Sequence, residues 1–290
     1  MAIFERNTQA SEFITSRSLV EKLPPLKRKI AGPNPAGRTK IIMKNLDNNI
    51  PYIGNGQYCY ANSTAMLLRS IGENIPPQII EVISGVGIGA CILTKGELLF
   101  FNTYAGVPDT GISKALKILG FDYREKTSKS SVCNPFKQLQ QDLKESPAVL
   151  GPLDMGHLTY NPRFTSLRGV DHFVLVYRLT TSKAYLHDPA GFPCASIKLA
   201  NLQSAWQAEH IGYRRDYYRY WTKPKRIHKP SQSEIYKLTL KFFKSLYKWD
   251  ENVAVKRGKI IGNKAIMTTV SRLKNGTISP LEKDHLTYGN

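Results

Sequence analysis

At 290 residues, with 41% apolar side chains and 15 tyrosines, the chain can bury a sizeable core and is too apolar to be disordered. Its longest apolar runs, such as 173–177, are far too short to span a bilayer, and residues 1–29 hold no apolar signal core; a cytoplasmic protein with no transmembrane segment is expected. The formal charge of +19 comes without zinc-finger spacing, a helix-turn-helix pattern or an RNA-binding aromatic signature, which argues against a nucleic-acid partner.

Residues 1–45 carry Pro24, Pro25, Pro33 and Pro35 and the basic run Lys27-Arg28-Lys29, and are expected to form an irregular N-terminal arm. A catalytic domain is expected over 46–222. It opens with a loop rich in Gly, Asn and Pro at 50–58, and at Cys59 the pattern turns helical: Ala61, Ala65 and Leu68 share a face, and Gly72 is the stop. Further helices are predicted over 77–83, 112–119 and 135–144. The glycine run 84–89 follows a helix and lacks the Gly-Lys-Ser/Thr ending of a phosphate loop. Strands are predicted over 148–151, 171–177 and 183–188, the last two joined by a short polar link suited to a hairpin. Asp188-Pro189-Ala190-Gly191 ends the hairpin with turn chemistry. Helices followed by antiparallel strands indicate an α+β domain.

Residues 223–290 form a basic helical extension by the same criteria, with 15 Lys and Arg against 5 Asp and Glu. Ile235, Leu238, Phe242, Leu246 and Trp249 mark an apolar stripe, and Lys237, Lys241, Lys244 and Lys248 a basic one. A solvated face explains the lysines plainly; an acidic protein partner is the sharper alternative, because charge steers association, and membrane-surface binding is another open to a basic amphipathic helix.

The four cysteines, Cys59, Cys91, Cys133 and Cys194, contain no CxxC, so neither a metal site nor a disulfide network is expected. A nucleophilic thiol must react as thiolate, which a helix N-terminus and a neighbouring imidazolium both favour. Cys59 has the first by position. His172, at the start of the apolar strand, and Asp188, at the end of the following one, can meet across a hairpin. His187 points away from Asp188 in a regular strand and is a poor candidate. Cys91 and Cys194 are expected to be buried or incidental, and Cys133 lies in a Ser-rich loop. Asp154, His157 and Tyr160 either line a substrate pocket or belong to a loop held by local hydrogen bonds.

Cys59-Tyr60-Ala61-Asn62-Ser63 resembles the nucleophile segment of papain-like enzymes. Asp171-His172-Phe173-Val174-Leu175-Val176 and Leu186-His187-Asp188-Pro189-Ala190-Gly191 resemble the His and Asp segments of the bacteriocin-leader peptidase branch, and 111–120 is similar to it too. The glycine loop 85–89 and Gly151-Pro152-Leu153-Asp154-Met155-Gly156 are more similar to the group of the N-terminal domain of butirosin biosynthesis protein H. The resemblance covers roughly 46–222. It implies a papain-like fold, N-terminal helices packed on a C-terminal antiparallel sheet, with Cys59 as nucleophile, His172 as base and Asp188 orienting the histidine. It departs from the pattern at Ile53, where papain-like peptidases place an oxyanion-hole glutamine; Gln57 and Asn55 are the candidates to replace it.

The expected activity is acyl transfer through an acyl-Cys intermediate, from a thioester on an acidic acyl carrier protein or coenzyme A to an amine of a small metabolite in secondary metabolism. No cofactor is implied. Peptide or amide hydrolysis by the same residues is the alternative, and a catalytically silent papain-like binding protein the second.

Overall fold

The computed structural model describes residues 50–54, 58–92 and 98–288; the arm expected over 1–45 lies outside them. Helix α1 (Cys59–Arg69) carries small or apolar side chains at most positions, and all nine residues from Tyr60 to Leu68 are buried. Helix α2 (Pro77–Ser84) starts with proline, whose missing N–H costs nothing in a first turn. Two short strands follow, β1 (Cys91–Ile92) and β2 (Leu99–Phe100), then α3 (Pro108–Ile118). Helix α3 begins four residues before the start that apolar periodicity suggests. Pro108 presets its first turn, and buried Asp109 accepts the Thr110 amide.

Next come β3 (Phe121–Ser128), α4 (Phe136–Asp142), β4 (Ala148–Asp154), β5 (Asp171–Leu179), β6 (Lys183–Asp188), β7 (Phe192–Lys198), α5 (Leu199–Gln207) and β8 (Tyr217–Arg226). The strands form one antiparallel sheet in the order β3-β8-β4-β5-β6-β7. Side chains alternate along β5, so Phe173, Leu175 and Tyr177 join the core under α1 while Val174 and Val176 join the core that also holds Trp206 of α5. Burial on both faces explains why this strand reads as a continuous apolar run rather than an alternating one. The mixed helix and antiparallel-sheet class expected from the sequence is the observed one.

The extension comprises α6 (Gln232–Trp249), β9 (Ile260–Ile261), α7 (Gly262–Lys274) and α8 (Pro280–Tyr288). Strand β8 runs across residue 222, so the sheet continues through the boundary expected there. The extension is also tied into the rest of the chain: β9 pairs with β1, and the buried Asp250 carboxylate accepts the amides of Tyr104 and Ala105 at 2.7 and 2.8 Å. A capping box, Ser231 with Glu234, fixes the start of α6. Ile235 and Phe242 pack on the core under α1. Leu246 sits so close that a Cβ on Gly85, itself at φ +70°, would lie 2.7 Å from it. Leu238, expected in the inward stripe, is instead 45% exposed; the helix is rotated so that positions 235, 242 and 246 set its contact line.

Candidate active site

Cys59 is the first residue of α1, and the residue before it adopts a left-handed conformation, Tyr58 at φ 52°, ψ 46°. A bulky residue is rarely found there, at a cost of roughly 1–3 kcal/mol. The reversal turns the chain abruptly out of the preceding loop and into the helix. The Tyr58 carbonyl accepts both the backbone amide and the side-chain amide of Asn62, at 3.0 and 3.2 Å. Among the described residues no side chain caps the N-terminus of α1. One turn on, the buried Ser63 hydroxyl donates to the Phe173 carbonyl at 3.1 Å, which pins the helix that carries Cys59 to the strand that carries His172.

In the hairpin, Leu175 pairs with His187. Continuing that register one residue sets Asp188 opposite Val174, with His172 two residues further on, a diagonal neighbour within reach of a long side chain. His172 Nε2 donates to Asp188 Oδ1 at 2.6 Å, with both side chains buried. The other imidazole nitrogen is thereby left for Cys59, which lies near enough to act on the charge of His172. Burial opposes charge on the imidazole, yet the carboxylate of Asp188 and the thiolate form of Cys59 together hold His172 well above its ordinary value. Burial would likewise raise the Asp188 carboxyl. The charge and hydrogen bond of His172, with two further donors, outweigh it and hold Asp188 below the usual carboxylate range.

Those further donors are the Ala190 amide, on Oδ1 at 2.7 Å, and the Tyr160 hydroxyl, on Oδ2 at 2.7 Å. Tyr160 packs edge-on against Phe192, and burial followed by the Asp188 charge pushes its phenol well above its ordinary value. The Asp188 backbone is fixed as well: Tyr52 donates its hydroxyl to the Asp188 carbonyl at 2.9 Å and accepts the Gly191 amide at 3.0 Å.

The three pocket candidates therefore separate. Tyr160 is a partner of Asp188. Asp154 is buried, and its Oδ1 accepts the amides of Gly156 and Gly169, each at 2.8 Å, so it holds the loop between β4 and β5 together. His157 lies in the short 3₁₀ turn Met155–His157 of that loop, half-buried. Among the described residues, neither Asp154 nor His157 hydrogen-bonds Cys59, His172 or Asp188. Asn55 and Gln57 lie outside the described residues, and Ile53 packs against the core under α1. His187 is engaged elsewhere: its Nδ1 accepts the Cys194 amide at 3.1 Å, and burial lowers it below its ordinary value.

Tyr213 carried no signal in the sequence. Its hydroxyl donates to Asp171, the neighbour of His172, at 2.7 Å, and after burial and the charges of Asp171 and Asp109 it also feels Cys59. It reaches the site from the loop between α5 and β8, 42 residues from Asp171.

All four cysteines are free thiols: Cys91 is buried, Cys59 and Cys133 are half-buried, and Cys194 is exposed rather than buried. Among the described residues no three His, Cys, Asp or Glu side chains converge as metal ligands, and no helix is long and apolar enough to cross a membrane.

No family model matches the chain. The peptidase domain of Streptococcus ComA, a bifunctional ABC transporter involved in a quorum-sensing pathway, aligns with 61% of this chain and 99% of that domain at 14% identity and a TM-score of 0.39. A C39-like peptidase from Bacillus anthracis aligns with 61% of this chain and 96% of that one at 15% identity and a TM-score of 0.42. Likeness at that level carries no argument about activity. In sequence, the chain is 43% identical over 237 residues to the uncharacterized protein YobF of Bacillus subtilis (strain 168), an alignment covering 82% of this chain and 75% of that protein. The chain belongs to the family of YobF.

Proposed function

We propose that this protein is a papain-like cysteine enzyme working through an acyl-Cys59 intermediate, with His172 as general base and acid and Asp188 orienting it. The observation that carries the reading is the placement of one buried imidazole between the Asp188 carboxylate, at 2.6 Å, and the Cys59 thiol at a helix N-terminus. His172 takes the Sγ proton, and the thiolate attacks the acyl carbon. Collapse of the tetrahedral adduct expels the leaving group, which takes that proton from the imidazolium. An incoming nucleophile then gives a proton to His172 as it attacks the acyl-Cys59 carbonyl, and collapse restores the Cys59–His172 pair.

The acyl donor we propose is a thioester, on an acidic carrier protein or coenzyme A, and the acceptor an amine of a small metabolite. Ile53 supports this choice. An amide substrate depends heavily on oxyanion donors, whose loss costs about 10²–10³ in rate, whereas a thioester carries its own activation. The likeness of the glycine loop 85–89 and of segment 151–156 to the butirosin biosynthesis protein H group supports acyl transfer too.

Intact-protein mass spectrometry after mixing with N-acetylcysteamine thioesters tests the reading. A stoichiometric acyl adduct, mapped to Cys59 and absent in His172→Ala, is expected, with loss of the adduct on adding amines. Cleavage of a peptide substrate by a chain that no thioester acylates would replace transfer by hydrolysis. Neither adduct nor cleavage would leave the binding-protein alternative standing.

A further inference from the structure

Helix α6 has no fully buried residue along its 18 positions. Its inner line, Ile235, Phe242 and Leu246, is used against the body of the protein. A second apolar line, Tyr236, Leu240, Phe243 and Tyr247, runs beside it at the i, i+4, i+7, i+11 spacing of a single helix face. Leu240, Phe243 and Tyr247 of this line, with Lys244, Lys248 and Glu251, line a shallow, open groove of about 500 Å³ along this face of the helix. None of the site residues around Cys59 lines it. The groove is built rather than incidental. The Tyr247 hydroxyl rests where a Cβ on Gly262 would stand, so the turn into α7 closes tightly against it, and the Phe243 and Tyr247 rings lie 6.2 Å apart.

One residue round the helix, Lys237, Lys241, Lys244 and Lys248 repeat the same spacing, and all four are exposed. Lys129 and Lys223, by contrast, are held in ion pairs with carboxylates elsewhere on the protein. An apolar furrow edged by a row of exposed ammonium groups, about 17 Å from Lys237 to Lys248 at the helical rise, matches a partner with apolar side chains on one line and carboxylates beside it. The charge argues against self-association, since a second copy brings another +19. The arrangement argues against a bilayer: Leu240, Phe243 and Tyr247 are half-buried, and Lys244 and Lys248 line the same groove as they do, whereas interfacial helices push apolar side chains outward into lipid.

We propose that the α6 groove docks an acidic amphipathic helix of another protein, its apolar side chains seated over Leu240, Phe243 and Tyr247 and its carboxylates along the Lys241, Lys244 and Lys248 row. The proposal stands whether or not Cys59 is a nucleophile.

The test is a fluorescence-anisotropy titration of the full chain into a labelled, helix-forming peptide of leucine and glutamate, leucines at i, i+3, i+4 and i+7. A peptide of the same composition with leucines spread around the helix serves as control. Saturable binding is expected that weakens at least about tenfold between ~0.05 and ~0.3 M salt as exposed charges are screened. The scrambled peptide should bind about tenfold more weakly, because the apolar line and not charge alone selects the partner. The triple variant Lys241→Glu, Lys244→Glu, Lys248→Glu should bind about tenfold more weakly still than the parent chain, with an unchanged circular dichroism spectrum; all three positions are exposed, so folding is not at stake. Phe243→Ala should weaken binding at both salt concentrations. No saturable binding of the leucine-glutamate peptide, equal binding of the scrambled one, or wild-type affinity in the folded triple variant would overturn the proposal. Co-sedimentation with phosphatidylcholine–phosphatidylserine vesicles in the absence of peptide binding would overturn it in favour of a membrane surface.

Discussion

His172 Nε2 and Asp188 Oδ1 lie 2.6 Å apart in the buried end of the β5–β6 hairpin, and the same carboxylate takes two further donors. Asp188 is thus locked in place before any substrate arrives, and the imidazole is held in the tautomer that leaves its other nitrogen for Cys59. Asp188→Asn keeps the shape but inverts the hydrogen-bonding logic of that tautomer. It should lower the acylation rate about 10³–10⁴-fold, with circular dichroism unchanged. His172→Ala should remove acylation almost entirely. A near-wild-type rate in Asp188→Asn, measured in single turnover, would show that the pair is structural.

Stability should follow the same pair with pH. The folded carboxyl of Asp188 is depressed, so its contribution is present above its unfolded value of about 3.9 and is lost as pH falls through the lower folded value. The folded imidazole of His172 is raised, so its contribution is fully present below about 6.5 and is lost as pH rises through the higher folded value. The melting-temperature gap between wild type and Asp188→Asn should therefore be widest between about pH 4 and 6.5, and should narrow on both sides. A gap independent of pH would mean that the two groups do not titrate as a charged pair.

Tyr160 gives a separable check on the Asp188 environment. Its hydroxyl is one of the groups that hold the carboxyl down, and Tyr160→Phe deletes only that donor. The acid-side fall of Cys59 acylation should shift to higher pH. The fold should lose about 1.5–3 kcal/mol, the usual cost of a hydrogen bond to a buried charged group, read by urea denaturation. If stability falls but the pH profile does not move, Tyr160 packs against Phe192 without tuning Asp188.

The parts of the fold legible in sequence are those where one physical signal dominates. Helix α1 shows because its small and apolar residues keep a helical period, and β5 shows because burial on both faces makes an unbroken apolar run. Strand β3, Phe121-Asp122-Tyr123-Arg124-Glu125-Lys126-Thr127-Ser128, lies at the sheet edge with one face in solvent, and its charges hide it. Strand β8 was obscured by Pro224, which punctuates the chain without ending the strand. In the site, the His172–Asp188 approach follows from hairpin register, a local property. Tyr160 and Tyr213 come from loops 28 and 42 residues from their partners, and no local pattern specifies that kind of contact. The outward turn of Leu238 has the same cause: a stripe of apolar residues spans more of a helix than its partner covers, and only the contact with Gly85 decides which edge is left outside.

The thiols provide the sharpest separation of exposure from activation. Cys194 is exposed, Cys59 and Cys133 are half-buried, and Cys91 is buried with its thiol pushed up to about 12, chiefly by burial and then by Asp250. If accessibility governed alkylation, Cys194 would react first. If the imidazole beside it and the α1 N-terminus govern it, Cys59 should outpace Cys194 with low iodoacetamide at neutral pH despite its lesser exposure. Cys91 should stay unmodified until the protein unfolds. The contrast with His172→Ala isolates the cause, since that variant leaves the exposure of Cys194 untouched and removes the partner of Cys59. Labelling of Cys59 should then fall to or below that of Cys194, while the Cys133 and Cys194 rates hold. Peptide mapping that found Cys194 modified first in the wild type, with no change in order in His172→Ala, would mean that the Cys59–His172 contact does not activate the thiol, and the acyl-enzyme mechanism would lose its first step.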